Sequence, residues 1–357
     1  MKSAAQISYI RQLCCLGLGG QIIMPEILRA LHAIVPSSFN MFLWADEHYQ
    51  LSNMYSENSE AYAAQSRYLS DFYNSREVHV LKTTFSEAMR TGLGWRNSER
   101  LGREFLSSDI YNDLLKPCDI RHGIEVTIWE NGRGMGSLVL NRSHDQKPFI
   151  EEEEMRLRSL IPYLAHGLRG TRDLRGEATP SGESGTLIID SQDRVVQFCQ
   201  EGKRLLMLAT HSKFSGSRSP FQDSAVIQRL CSNLRGNLQG QAQPVPMQRH
   251  RNAWGEFIFR AYPLSTCYEP DGSIALVIER HEPMPITLMR TLRTLPVTAR
   301  QREVCLLLSY GYTHSMIGER MHVSKHTATD YVRKIYDKLD VRSQDQLIKK
   351  LMTIHAA

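Results

Sequence analysis

Apolar residues recur at spacings of three and four from Met24 to Val35. Ile27, Leu28, Leu31, Ile34 and Val35 share one helical face, and Pro25 suits the first helical position. The preceding stretch, MKSAAQISYIRQLCCLGLGG, carries a short apolar patch broken by Arg11 and Gln12. It reads as a first helix rather than a cleaved leader. The period then shifts to two. Phe39–Trp44 and Gln50–Tyr55 read as a hairpin around Ala45-Asp46-Glu47-His48. A helical stretch rich in Ala, Ser and Tyr follows over about 57–73, and residues 75–120 keep no dominant period. From Gly123 two strand patterns meet at Asn131-Gly132, the strongest short hairpin signal. The run Gly132-Arg133-Gly134-Met135-Gly136 leads into a strand, so it lacks the helix N-terminus that a phosphate loop needs.

After Pro148-Phe149, the residues Leu157, Leu160, Ile161, Leu164, Ala165 and Leu168 form one helical stripe, with a kink expected at Pro162. Glu151–Glu154 suit the positive start of that helix better than a metal site. Residues 170–185 are polar and Gly-rich with Pro180, which predicts a linker. A second unit follows. Its expected strands are Thr186–Asp190 and Arg194–Phe198, then helices near Gly202–Ala209 and Ser224–Leu234. A Gln- and Pro-rich loop over 235–250 precedes two strands, WGEFIFRAYPL and GSIALVIER, joined by Glu269-Pro270-Asp271-Gly272. Residues 281–294 hold Pro283 and Pro285 and then an amphipathic start, read as a linker ending in a short helix.

The last stretch reads as four short helices with their caps. Thr298 and Gln301 form a capping box, and Gly311 supplies a left-handed end. Thr313 and Ser324 can cap the second and third helices, and Ser343 with Gln346 opens the fourth. On the third helix, Ser324–Leu339, the residues Ala328, Tyr331, Val332, Ile335 and Leu339 share one side. His326, Thr329, Asp330 and Arg333 lie opposite, flanked by Thr327, Lys334 and Lys338. A helix held in this way can enter a major groove, its first outward residues at base edges and its rim on phosphates.

Charge sharpens that picture. Twelve Lys/Arg face six Asp/Glu between Arg290 and the end, while the whole chain is only +5, so the basic excess belongs to the terminal segment. At 357 residues, with 41% hydrophobic and 23% charged positions, the chain suits two or three globular domains. No apolar run reaches the roughly 18 residues that span a bilayer, so the expectation is a cytoplasmic protein with no membrane partner.

Residues 295–350 resemble the LuxR-type helix-turn-helix domain. The resemblance is carried by Thr298, Arg300, Glu303, Val304, Gly311, Ile317, Val323, Ser324 and Thr327. It continues through Val332, Ile335, Lys338, Leu339, Val341, Arg342 and Ser343. It implies contacts with double-stranded DNA through Ser324, Lys325, His326, Thr327, Thr329, Asp330, Arg333, Lys334, Lys338 and Arg342. It also implies a homodimer and RNA polymerase as a further partner. Thr329 stands where the family usually has Lys, and Tyr331 where it usually has His, so base preference should depart from the family's. Asp330 would repel phosphate, yet it can accept from a cytosine amino group.

Upstream, GTLIIDSQDRVVQFCQEGKRLL and GEFIFRAYPL…IALVIER resemble a PAS-type domain. The first 170 residues resemble a GAF-like one; such domains often enclose a small-molecule effector. The fold class expected is α+β, two sensor-type units with antiparallel sheets followed by an all-α module. The boundaries are 1–172, a linker over 173–185, 186–281, a linker helix over 282–294, and 295–357.

The remaining chemistry changes little. Seven cysteines show no C-x-x-C and no zinc spacing with His, so reduced thiols are expected, with a redox role for Cys14-Cys15 weakly supported. His322 and His326 are four apart but straddle a turn and lack partners, so neither metal nor cofactor is expected. Gly-Glu-Ser-Gly around Ser184 lacks the nucleophile-elbow spacing, and no other catalytic constellation is readable, so an enzyme is not expected. No receiver-type phosphorylation site and no acyl-homoserine lactone signature is readable in residues 1–170 either. Trp44, Tyr55 and Trp129 are candidates for a pocket wall, with core packing the commoner explanation. Two readings remain: an effector- or partner-controlled DNA-binding regulator, and a signalling scaffold whose last helices only dimerise.

Overall fold

The computed structural model describes residues 2–92, 95–170, 178–210, 225–265 and 272–356. The first unit opens with α1 (Lys2–Cys14) and α2 (Gly20–Leu31), then the hairpin β1 (Phe39–Ala45) and β2 (Leu51–Ser56). Pro25 sits inside α2, not at its start. Burial of Gly20, Ile22 and Ile23 draws the helix back to Gly20 and outweighs the hydrogen bond that Pro25 forgoes. The stretch expected to be helical over about 57–73 forms α3 (Glu60–Arg67) with a widened continuation to Arg76, and the stretch without a readable period becomes short elements: α4 (Glu77–Leu81), α5 (Phe85–Thr91), β3 (Trp95–Asn97) and α6 (Arg103–Ser107). The strands β4 (His122–Glu130) and β5 (Arg133–Arg142) turn at Asn131 and Gly132, whose φ values of 51° and 79° are those of a two-residue hairpin loop. Gly134 lets α5 close on the sheet, since a Cβ there would lie 2.4 Å from the Met89 carbonyl oxygen; this is the packing role of the Gly-rich run. Helices α7 (Glu151–Arg158) and α8 (Ile161–Leu168) break just before Pro162, as its ring requires.

The second unit holds β6 (Ala178–Ile189), β7 (Val195–Phe198), α9 (Gln200–Thr210), α10 (Ala225–Leu238), β8 (Met247–Asn252), β9 (Gly255–Pro263) and β10 (Ile274–Pro283). Both sheets are antiparallel and share one plan: β2-β1-β5-β4-β3 and β7-β6-β10-β9-β8. The α+β class is as expected.

Three stretches differ from their sequence reading. Residues 178–185 are strand rather than linker, paired with β10 from Ser184–Glu279 to Ala178–Pro283 across a bulge; a partner a hundred residues away overrides the local Gly, Ser and Pro. The expected loop over 235–250 is shorter at both ends: 235–238 continue α10, and 247–250 are strand, the start of the edge strand β8. The expected linker helix is α11 (Met284–Thr294), and it is a core element, with Ile286, Leu288, Met289 and Leu292 fully buried. The first part of the expected linker, 171–177, and most of the turn 269–272 lie outside the described residues.

A buried ionic network joins the units. Arg290 on α11 donates to Glu26 of α2 at 2.9 Å, to the Ser181 carbonyl of β6 at 2.9 Å, and pairs with Glu282 of β10 at 2.9 Å. Glu183 of β6 faces Arg280 at 2.7 Å, Arg29 at 3.0 Å and Arg204 at 3.1 Å, while Arg204 also donates to the Tyr55 hydroxyl at 2.7 Å. Burial pushes the Glu183 carboxyl up, but Arg280, Arg204 and Arg29 together outweigh it and hold the group well below the usual carboxylate range. Trp254 closes the same junction edge-on to Trp44 and tilted over Tyr55, at centroid distances of 5.3 and 5.7 Å.

Candidate nucleic-acid interface

The terminal module is α12 (Ala299–Ser309), α13 (His314–Met321), α14 (Lys325–Leu339) and α15 (Gln344–Ala356). Its starts form as their sequences dictate. Thr298 Oγ1 accepts from Gln301 N at 3.2 Å and Gln301 Oε1 accepts from Thr298 N at 3.0 Å, closing the capping box. Thr313 and Ser324 accept from Met316 N and Thr327 N at 3.4 and 3.0 Å. At α15 the reciprocal bond shifts by one: Ser343 accepts from Gln346 N, while Gln346 Oε1 takes Arg342 N. Helix α13 ends with His322 at φ 54° and turns tightly into α14 against Gly318, where a Cβ would meet the Val323 carbonyl at 2.9 Å. Gly318, six residues before the capping Ser324, is a functional position that the expected site residues did not include, and the close approach of Val323 is what requires it.

Helix α14 buries Ala328, Val332, Ile335 and Leu339, with Tyr331 half-buried, as its period requires. Lys325, His326, Thr329, Arg333 and Lys334 stand exposed, and Ser324 and Arg342 are exposed at its two ends. The first turn of α14 has no acidic residue, so its unbonded N–H groups and Lys325 present a positive end. Asp330 is not a free repulsive charge. Its Oδ1 accepts from Arg333 Nη2 at 3.1 Å and its Oδ2 lies 3.7 Å from His326 Nε2. Thr329 donates to the Lys325 carbonyl at 3.0 Å, a turn back along its own helix. Thr327 is half-buried, its hydroxyl 2.9 Å from that of Ser324.

Lys338 differs from the rest of the string. Its ammonium donates to the Pro296 carbonyl at 3.1 Å and to Gln301 Oε1 at 3.0 Å, so it clamps α14 onto the start of α12. His322 and His326 are not part of a metal cluster, and among the described residues no group of His, Cys, Asp and Glu has ligand geometry. Burial pushes the Cys14 and Cys15 thiols up, with Cys15 raised further by Glu303, the opposite of what a reactive pair needs. Among the described residues no helix is long and apolar enough to cross a membrane.

A second feature lies in the first unit. Between its sheet and α3–α6 is a cavity of about 190 Å³, walled by Met41, Leu43 and Met54 of the sheet and by Tyr68, Phe105 and Leu114 opposite. Its carboxylates are already engaged: Glu77 takes the Tyr68 hydroxyl at 2.7 Å and the N–H groups of Asn74 and Phe85, and Glu125 takes the Ser137 hydroxyl at 2.7 Å and faces Arg96 at 3.5 Å. Asn141, 2% exposed, lines the cavity with its Nδ2 donor unpartnered. The aromatics expected there lie elsewhere. Trp44 and Tyr55 face the interdomain junction on the other side of the sheet, and Trp129 is 38% exposed.

Residues 295–351 match the bacterial regulatory proteins of the luxR family, and the chain therefore carries a luxR-family helix-turn-helix domain at that place. No curated protein matches the chain. Among solved structures, Escherichia coli SdiA is similar at 10% identity over 92% of this chain and 89% of that one, with a TM-score of 0.29. The Vibrio cholerae VqmA dimer is similar at 20% identity over 48% and 82%, with a TM-score of 0.17. A phage VqmA–DPO complex is similar at 16% identity over 58% and 94%, with a TM-score of 0.19.

Proposed function

We propose that this DNA-binding regulator reads duplex DNA with α14 and is controlled by a small molecule held in the first-unit cavity. The observation that carries the DNA reading is the exposed, cationic face of α14, whose first turn holds no acidic residue, on a capped luxR-family module. In this reading α14 lies in the major groove with His326, Thr329 and Arg333 toward base edges. The α14 N-terminus with Ser324, Lys325 and Thr327 takes one phosphate, and Lys334 and Arg342 take flanking ones. Asp330 holds Arg333 by its i,i+3 pair, which favours a positioned guanine contact over a direct cytosine contact. Lys338 serves the module's own packing. Two such modules on paired half-sites make the acting species a homodimer.

The effector reading rests on the cavity. Its volume exceeds the roughly 150 Å³ in which an apolar cavity takes benzene. With its carboxylates engaged and two donors, Asn141 Nδ2 and Arg96 Nε, without a hydrogen-bond acceptor, it suits a small, uncharged, mainly apolar molecule that offers one or two hydrogen-bond acceptors. The test is gel-shift against genomic fragments. Arg333→Ala should lower affinity about tenfold and relax one base position, and Lys334→Ala should weaken all sequences alike. Unchanged binding in both variants would remove α14 as the reading helix. Leu114→Trp, which fills the cavity, should leave basal DNA binding intact and abolish the response to a cell extract that modulates it.

A further inference from the structure

Where α1 meets the terminal module there is a second cleft, about 320 Å³ in volume, within the range of small-ligand sites. One wall comes from the sensor end of the chain, with Arg11, Cys15 and Leu16; the other comes from α12 and α13, with Leu307, Tyr310 and Arg320. The two walls are stitched together beside the cleft, where Gln12 donates to the Ala299 carbonyl at 2.7 Å and accepts from Arg302 Nε at 3.0 Å.

The charges around this cleft do not balance. Among the described residues neither Arg11 nor Arg320 has a carboxylate partner. Arg11 lies over the Tyr163 ring at 4.6 Å with its Nε buried and unbonded, and Arg320 lies over the Tyr312 ring at 5.7 Å. Arg302, 7% exposed, has only Gln12 as a hydrogen-bond acceptor among the described residues, and desolvation lowers its pKa. The one carboxylate in the lining, Glu303, is engaged by Arg300 at 3.1 Å. Two guanidiniums without counter-ions, over a floor of Leu16, Leu306 and Leu307, present donors for an anion and a surface for its hydrocarbon.

We infer that this cleft is a binding site for a small organic anion with an apolar body, a medium-chain or aromatic carboxylate in class, held between Arg11 and Arg320. The occupant touches both the sensor end and the DNA-binding module. It binds only their docked arrangement and shifts the chain toward it. This site is separate from the first-unit cavity, whose chemistry calls for an uncharged molecule, and it does not depend on the DNA reading.

Cys15 lies in the lining, so labelling of its thiol by a small maleimide reports occupancy locally. Cys199, exposed and distant in sequence, serves as the internal reference in the same digest. The probe is octanoate, with octanol as its uncharged counterpart, on the full chain. Octanoate should slow Cys15 labelling at least fivefold at saturation without slowing Cys199, and octanol should need at least tenfold higher concentration. Arg11→Gln and Arg320→Gln should each raise the half-protecting octanoate concentration about tenfold while Cys199 labels at its original rate. No protection at Cys15, equal protection by octanol, or protection unaltered in both variants would each overturn the assignment.

Discussion

Arg290→Met removes the cation that holds α11 to both upstream units while keeping most of the side-chain volume. The two carboxylates it serves, Glu26 and Glu282, are each 1% exposed. Removing one partner of a buried pair costs about 3–5 kcal/mol, because the other charge is left uncompensated. The orphans are partly supported here. Glu26 keeps Arg29 at 3.3 Å and the Tyr9 hydroxyl at 2.8 Å, and Glu282 keeps the Thr287 hydroxyl at 3.2 Å. The expected loss therefore sits at the lower end, about 3 kcal/mol. A chain of several units need not unfold in one step, so the assay is native-state hydrogen exchange on α11 rather than a global melt. About 3 kcal/mol corresponds to roughly a hundredfold faster exchange of the α11 amides. The triple variant Glu26→Gln, Glu282→Gln, Arg290→Met removes the orphan charges together and should recover most of that protection. Exchange within about fivefold of the parent in Arg290→Met, or a triple variant as unprotected as the single one, would refute the claim that this network anchors α11.

Other consequences are equally direct. Gly318→Ala drives a Cβ to 2.9 Å from the Val323 carbonyl, so the α13–α14 turn should shift at a cost of about 1–3 kcal/mol, with DNA affinity falling while the two upstream units keep their exchange protection. Lys338→Ala releases Pro296 and Gln301; it should cost about 1 kcal/mol of module stability in a denaturant titration and leave the salt slope of DNA binding unchanged. The Glu183 carboxyl is held below its unfolded value, so its contribution is present above about pH 4.5 and drains away as the pH falls through the folded pKa. The stability gap between the parent and Glu183→Gln should accordingly narrow from pH 7 to pH 3, and a constant gap would contradict the network's ionic basis.

How far the residues alone revealed this architecture depended on the range of the interactions. The caps at Thr298, Thr313 and Ser324 and the turn at Asn131-Gly132 are settled within four residues, and each formed where its sequence placed it. The stripe of α14 was equally local. Residues 178–185 take their strand identity from β10, which lies far along the chain, and α11 forms the expected helix but takes its burial from α1, β6, β10, α12 and α15. The ionic junction was invisible for the same reason: Arg290 and Glu26 are 264 positions apart, and nothing near either predicts a buried charge. The cavity draws on the helical stretch after β2 and on short elements in 75–120 that carry no sustained period, so its wall could not be assembled from patterns. Lys338 sits on the outward side of the helical wheel, yet its long stem reaches Pro296, a choice that only the packed module makes.

The central claim is that α14 and its flanking cations grip duplex DNA through phosphates as well as bases. The most direct measurement is the salt dependence of binding to a genomic fragment that the protein retains. Lys325, Lys334, Arg342 and the α14 N-terminus in each of two modules predict a slope of log affinity on log salt of roughly −5 or steeper. That slope should become shallower by about one to two when Lys334 is replaced by Ala in both copies. A slope near zero, or one that is the same with and without Lys334, would contradict the account.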